Sequence, residues 1–319
     1  MKKRLIVFII ICSIALVQLP ISTSAASTNT QNQSIDKNGY SFLLDPGTGK
    51  YLPVINREKE FKDITAKQPR NTEAERKFLE HKAGLSQSTT SSPIPGGVGS
   101  GFRYNSTFMT SYTNGSAISY DIICPTKAGG NNSNFLYLTS TNRTAKGVEA
   151  YVAYNAQNDF EFLVFDWAIT DTSKRWVVSI PYSSLSNYLR TKTIHGANYQ
   201  CPTVQQRTEL VSGNTWRNIV WLQNINATYD QVYSYSYTST LAEQQGTPSQ
   251  NWAPIIETFQ SSYSNMNTMG FNATYLASAN SSGTWSSWTL LSTTQSTYCN
   301  DNVGFTNVFL DPNYGFAAH

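Results

Sequence analysis

The sequence predicts an all-β protein, an antiparallel sandwich or barrel, preceded by an export signal and a short charged segment. Three observations carry this. Beyond residue 101, apolar and aromatic residues alternate with Ser, Thr and Asn in short runs, and no helical period lies between them. Turn clusters separate the runs, among them Asn114-Gly115, Gly129-Gly-Asn-Asn132, Gly213-Asn214 and Asn280-Ser-Ser-Gly283. Charged residues make up only 13% of the chain while Tyr alone occurs 19 times, a balance that suits pleated, half-buried surfaces.

The chain begins as an export signal. Lys2, Lys3 and Arg4 form a basic start, residues 5–17 an apolar run, and the small residues at 22–26 offer cleavage after Ala25 or Ala26. The apolar run is too short for a membrane span and is followed by Gln18 and Pro20. Residues 1–26 are therefore expected to be removed, leaving a secreted, extracellular protein with no membrane attachment.

Residues 27–96 are read as a propeptide and linker, the alternative being an appendage that is never removed. Residues 27–40 are polar. A helix is expected from Thr72, where Glu75 completes a capping box and Ala74, Phe78 and Leu79 share a side before Gly84. Residues 86–101 are rich in Ser, Thr, Pro and Gly, as a linker is. The sandwich domain is placed at 97–319. Its strands are expected at 104–112, 117–124, 134–139, 147–155, 160–168, 176–181, 204–210, 218–224, 231–237, 254–259, 268–276, 285–291 and 304–310, with a helical turn at 183–189.

Charge divides unevenly along the chain. Residues 1–96 hold 13 Lys/Arg against 8 Asp/Glu, and the remainder 10 against 12. A mature domain of slight acidity does not suit nucleic acid, whose phosphates call for a basic surface. The same asymmetry suggests a front segment held by carboxylates and loosened in acid.

Cys124, Cys201 and Cys299 remain after export, enough for one disulfide, and their spacing does not say which two pair. Three His and three widely spaced Cys give no metal-ligand pattern, and no phosphate-binding Gly loop is present, so neither metal nor cofactor is expected. A Ser/His or Cys/His mechanism would rest on His195 with no nucleophile motif beside it.

The residue that stands out is Glu257, in Asn251-Trp-Ala-Pro-Ile-Ile-Glu-Thr-Phe-Gln260. A strand period of two puts it on one face with Ile255 and Phe259. A carboxylate in apolar company is costly unless it is paired, hydrogen-bonded or held in a cleft.

Five stretches, in order, give the chain a resemblance. They are Ala150-Tyr-Val-Ala-Tyr-Asn-Ala156, Phe165-Asp-Trp167, Arg175-Trp-Val-Val-Ser-Ile-Pro181, Leu222-Gln-Asn-Ile-Asn-Ala-Thr228 and Ala253-Pro-Ile-Ile-Glu-Thr-Phe259. Together they resemble the glutamic peptidases of the eqolisin type. That resemblance implies a concanavalin-like sandwich of two curved antiparallel sheets, an N-terminal propeptide, and Glu257 as the catalytic glutamate acting on polypeptide. It also implies that Asp166, Trp167, Tyr151 and Trp252 orient and enclose substrate. The chain departs from the family at one point: aligned without gaps, the position of the second catalytic residue, a Gln, is Phe162. A one-residue bulge would bring its neighbour Glu161 into the site and give a Glu/Glu pair, like that of the neprosin-type prolyl peptidases. Without the bulge, Glu161 is expected on the opposite face.

Two other functions fit the same sandwich. Trp216, Trp221, Trp252, Trp285 and Trp288 suggest a stacking surface for an extracellular glycan, and a relative without activity would keep the fold around a vestigial Glu257.

Overall fold

The computed structural model describes residues 35–36, 39–68, 98–104, 114–123, 136–142, 146–154, 160–194, 196–245, 254–260, 269–290, 295–300, 307–309 and 316–318. Along 98–104, 136–142, 254–260, 295–300, 307–309 and 316–318 only the backbone is described. The strands in chain order are β1 (Ile35–Asp36), β2 (Gly39–Tyr40), β3 (Phe42–Asp45), β4 (Lys50–Asn56), β5 (Val98–Tyr104), β6 (Gly115–Ile123), β7 (Leu136–Asn142), β8 (Val148–Tyr154), β9 (Phe160–Asp166), β10 (Trp176–Pro181), β11 (Leu189–Ile194), β12 (Ala197–Ser212), β13 (Thr215–Asn224), β14 (Thr228–Thr238), β15 (Pro254–Gln260), β16 (Met269–Ala279), β17 (Thr289–Leu290), β18 (Gln295–Asn300), β19 (Asn307–Phe309) and β20 (Phe316–Ala318). Helix α1 (Glu58–Thr65) follows β4 and α2 (Leu241–Gln245) follows β14.

Two sheets contain nearly all of these strands. One has seven strands in the order β10-β9-β8-β7-β15-β5-β18. The other has eleven, with the path β19-β20-β16-β6-β12-β13-β14-β4-β3 and with β11 and β17 attached beside it. Among the described residues every strand pairing is antiparallel except that of β4 with β14. The expected all-β antiparallel sandwich is the fold that forms.

The core follows from alternation along the strands. Val148, Ala150 and Val152 of β8, Phe162 and Val164 of β9, and Val178 and Ile180 of β10 point inward from the smaller sheet. They meet Ile118, Tyr120 and Ile122 of β6, together with Val204, Val220, Leu222 and Val232 of the larger sheet. Tight turns fix the register of the long strands. Gly213 turns β12 into β13 at a φ of 53°. Between β13 and β14, Ala227 takes a φ of 58°, where the Asn224 side chain also accepts the backbone N–H of Asn226 at 3.0 Å.

The part of the front segment that the structure describes is built into the sandwich. Strands β3 and β4 form a hairpin, and β4 extends the larger sheet through Tyr229↔Val54, Asp230↔Ile55 and Gln231↔Asn56. Helix α1 contributes Phe61 to the main core. The helix expected from Thr72 lies outside the described residues.

Other expectations differ in detail. The turn at 183–189 is a pair of short 3-10 turns, Tyr182–Ser184 and Ser186–Tyr188. Of the described part of 285–291, residues 285–290, Thr289–Leu290 is strand; Trp285 instead makes an isolated bridge with Ala279. Strands β1 to β5, β11, β18 and β20 were not foreseen, most being short, charged or polar; β5 corrects the linker reading, since Val98–Tyr104 pairs with β15 and β18 inside the seven-stranded sheet. No helix among the described residues is long and apolar enough to cross a membrane.

Candidate functional site

The register of the seven-stranded sheet arranges the site residues. Residues opposite one another in an antiparallel ladder share a face, as do residues two apart on one strand. Position 257 pairs with Gly101 on β5 and with Thr139 on β7. Thr139 pairs with Tyr151, Tyr151 with Leu163, and Leu163 with Ser179. One row therefore runs Gly101, Glu257, Thr139, Tyr151, Leu163, Ser179. The next row on the same face runs Gly99, Phe259, Tyr137, Ala153, Glu161, Pro181. A third holds Arg103, Ile255, Thr141, Glu149, Phe165, Trp176.

This corrects the expectation about Glu161. Positions 161 and 257 share a face without any bulge between β9 and β15. Phe162 belongs to the opposite row, with Thr258, Leu138, Val152 and Ile180, and it is fully buried in the main core. The aromatic ring that stood at the family's Gln position in a gap-free alignment is a core residue.

Strand order also separates the two glutamates. Three strand steps lie between β15 and β9, roughly 14 Å on a flat sheet, and position 161 is a further two residues along, about 7 Å. Curvature toward this face is needed for the two carboxyl groups to meet one water. Glu161 is half-buried and accepts a hydrogen bond from the Ser179 hydroxyl at 3.0 Å. Tyr151, described by its backbone, lies in the row of Glu257, on β8 between β15 and β9. Trp252 lies outside the described residues.

Glu149 was not singled out from sequence, although Glu149 and Tyr151 are two apart on one strand and the signal was readable. It is 2% exposed and accepts the indole N–H of Trp167 at 2.9 Å. It stands two strand steps from β15, one fewer than Glu161. Trp167 is half-buried, edge-on to Phe165 at 4.9 Å, with the Arg175 guanidinium 5.2 Å from its ring centre.

Asp166 faces the interior. It is fully buried and joins the sheets, accepting from Tyr233 Oη at 2.6 Å, Asn218 Nδ2 at 2.8 Å and the backbone N–H of Ala168 at 2.7 Å. Burial pushes its carboxyl up to about 6, against the opposing pull of these donors, of which Tyr233 is the strongest. Its place is between the sheets, where it orients β9 from behind.

Cys201 is a buried free thiol. Burial, and then the nearby Asp121 carboxylate, push its pKa up to about 12, the reverse of an activated nucleophile. His195 and Cys124 lie outside the described residues, and the side chain of Cys299 is not described.

The aromatic residues considered for glycan stacking are differently placed. Trp216 and Trp221 are fully buried. Trp285 and Trp288 lie against the guanidinium of Arg207, at 4.7 and 5.9 Å from their ring centres. Among the described residues no group of three or more His, Cys, Asp and Glu gathers as a metal site.

No protein-family model and no curated protein matches the chain. Among solved structures, it is similar to scytalido-glutamic peptidase with a peptide-based transition-state analogue, at 9% identity and a TM-score of 0.37, over 70% of this chain and 97% of that one. It is similar to SCP-B, a member of the eqolisin family of peptidases in complex with the tripeptide Ala-Ile-His, at 10% identity and a TM-score of 0.35, over 70% and 97% of the two chains. A third is the CBM2 module of the evolved Dit of Lactobacillus casei BL23 phage J-1, at 8% identity and a TM-score of 0.25, over 51% and 60%.

Proposed function

We propose that this chain is an exported hydrolase of the glutamic-peptidase kind, acting on polypeptide in acid with Glu257 as general base. The observation that carries this reading is the common face of positions 257, 161 and 149 on the seven-stranded sheet, with Tyr151 in the row of Glu257. The burial of Phe162 in the core, with position 161 on the face of position 257, supports Glu161 as the second carboxyl. The five collinear stretches described above support the same reading.

In this mechanism Glu257 takes a proton from water, and the water oxygen attacks the peptide carbonyl. A second carboxyl, Glu161, is protonated; it hydrogen-bonds the developing oxyanion and then gives its proton to the departing amine. This mechanism requires the seven-stranded sheet to curl toward this face so that both carboxyls reach one water; two carboxyls so placed do not both ionise readily, and one keeps its proton. Activity is expected below the ordinary carboxyl pKa of about 4. Trp167, held by Glu149, and Tyr151 shape the substrate cleft, while Asp166 fixes the end of β9 from the core side.

The test is digestion of a denatured protein at pH 3 and pH 7 by the purified chain, alongside retention on insoluble polysaccharide. Digestion at pH 3 that disappears in Glu257→Gln supports the hydrolase. Retention on polysaccharide with no digestion at either pH overturns it in favour of a glycan-binding module.

A further inference from the structure

We infer that residues 39–66 are a permanent strand-and-helix component of the sandwich, which stays bound to residues 98–319 after the chain between them is cut. The larger sheet and the side of the sandwich form an acceptor surface, and this segment of the same chain is its partner.

Three kinds of contact support the inference. The first is backbone pairing. Without β4, the edge of β14 from Tyr229 to Gln231 loses its parallel partner, and the Gln231 carbonyl loses the N–H of Arg57 at 3.0 Å.

The second is apolar, at two places. Tyr40, Leu43 and Leu52 form a buried cluster with Ile219, Trp221 and Tyr229, on the opposite alternation of β13 from the main core. The Tyr40 ring stands edge-on to Trp221 at 5.4 Å. On the other side, Phe61 enters the main core at 1% exposure and lies 5.9 Å from the Tyr188 ring. Removing the segment would expose both sets of apolar residues to water.

The third is polar. Arg57 forms an ion pair at 3.0 Å with Asp230, which is fully buried and also accepts from Tyr188 and Asn224. Glu209 accepts the Tyr40 phenol, and Arg207 donates to the same oxygen at 3.0 Å. Gln231 donates to Glu58 at 2.5 Å and Gln223 to Asp45 at 3.2 Å. The Thr65 hydroxyl accepts the backbone N–H of Ser179 at 2.9 Å and reaches its carbonyl at 3.3 Å, so α1 caps the edge strand β10 of the other sheet. The segment thus touches both sheets. Ser179 in turn donates to Glu161, which links the segment to the proposed catalytic face.

A specific protease site placed in the Ser/Gly/Pro-rich stretch 86–96 of the full chain tests this. After complete cutting, the two pieces are expected to elute together in size-exclusion chromatography at pH 7 and at pH 3, and to part only in denaturant. In the cut Tyr40→Ala/Phe61→Ala double variant the small fragment is expected to dissociate, with the remaining body losing its cooperative thermal transition. A cut wild-type chain whose small fragment elutes alone, leaving 98–319 monodisperse with its thermal transition intact, would overturn the inference.

Discussion

The phenol of Tyr233, on β14 of the larger sheet, donates to the carboxylate of Asp166, at the end of β9 in the smaller one, at 2.6 Å. This bond crosses the sandwich behind the proposed catalytic face. Burial raises the pKa of Asp166 to about 6 from 3.8, so the folded state holds this proton more tightly than the unfolded chain does. Its stabilising contribution is complete below about pH 4 and is lost as the pH rises to about 6. A shift of about two units corresponds to about 3 kcal/mol. Asp166→Asn, which cannot ionise, should therefore gain about 3 kcal/mol relative to the wild type between pH 4 and pH 7. Urea unfolding of both proteins at the two pH values checks this; a stability difference that does not change with pH would refute it.

Ala227 holds a backbone conformation that costs an L-residue about 1 kcal/mol and glycine almost nothing. Ala227→Gly is expected to stabilise the protein by roughly 0.5 kcal/mol, since glycine gives back some of the gain as unfolded-state entropy. The urea midpoint should rise slightly with an unchanged slope.

Gly115 opens β6 where the Trp285 ring passes over it. A Cβ there would lie 3.0 Å from Cζ2 and 3.1 Å from Cη2 of Trp285, and 3.3 Å from Cβ of Ala279. The same ring covers the Arg207 guanidinium at 4.7 Å, so it has little room to give. Gly115→Ala should cost about 1–3 kcal/mol. Combined with Trp285→Ala, it should cost much less than the sum of the two single changes, which a double-mutant cycle in urea would measure.

Phe61→Ala should destabilise the whole chain by about 3–5 kcal/mol, as expected for a ring buried in a main core. A loss under 1 kcal/mol by chemical denaturation would mean that α1 is only loosely docked.

The strands of the sandwich were readable wherever alternation was clean. Trp176–Pro181 was placed to the residue, and the strands at Gly115–Ile123 and Pro254–Gln260 nearly so. The front segment was less legible, because β3 is short, β4 carries Pro53 within its run and α1 is strongly charged. Their apolar residues make sense only against Trp221 and Tyr188, which lie far away in the chain. Gly115 looked like a turn residue; its need for a bare Cα comes from Trp285, which a local reading does not show. At the candidate site, the face of Glu257 was predicted from its own strand, but the face of Glu161 was not. Parity between strands is set by register through β7 and β8, and no single stretch of sequence encodes it.

The measurement that tests the central claim most directly is the rate of peptide hydrolysis by purified wild type and Glu257→Gln, across pH 2 to 7, with both proteins shown to be folded by their thermal transitions. The account predicts that the wild type is active with a maximum on the acid side and that the variant loses on the order of 10³-fold or more in kcat/KM throughout. Equal rates for wild type and variant, or a folded wild type without hydrolysis anywhere in that range, would contradict it.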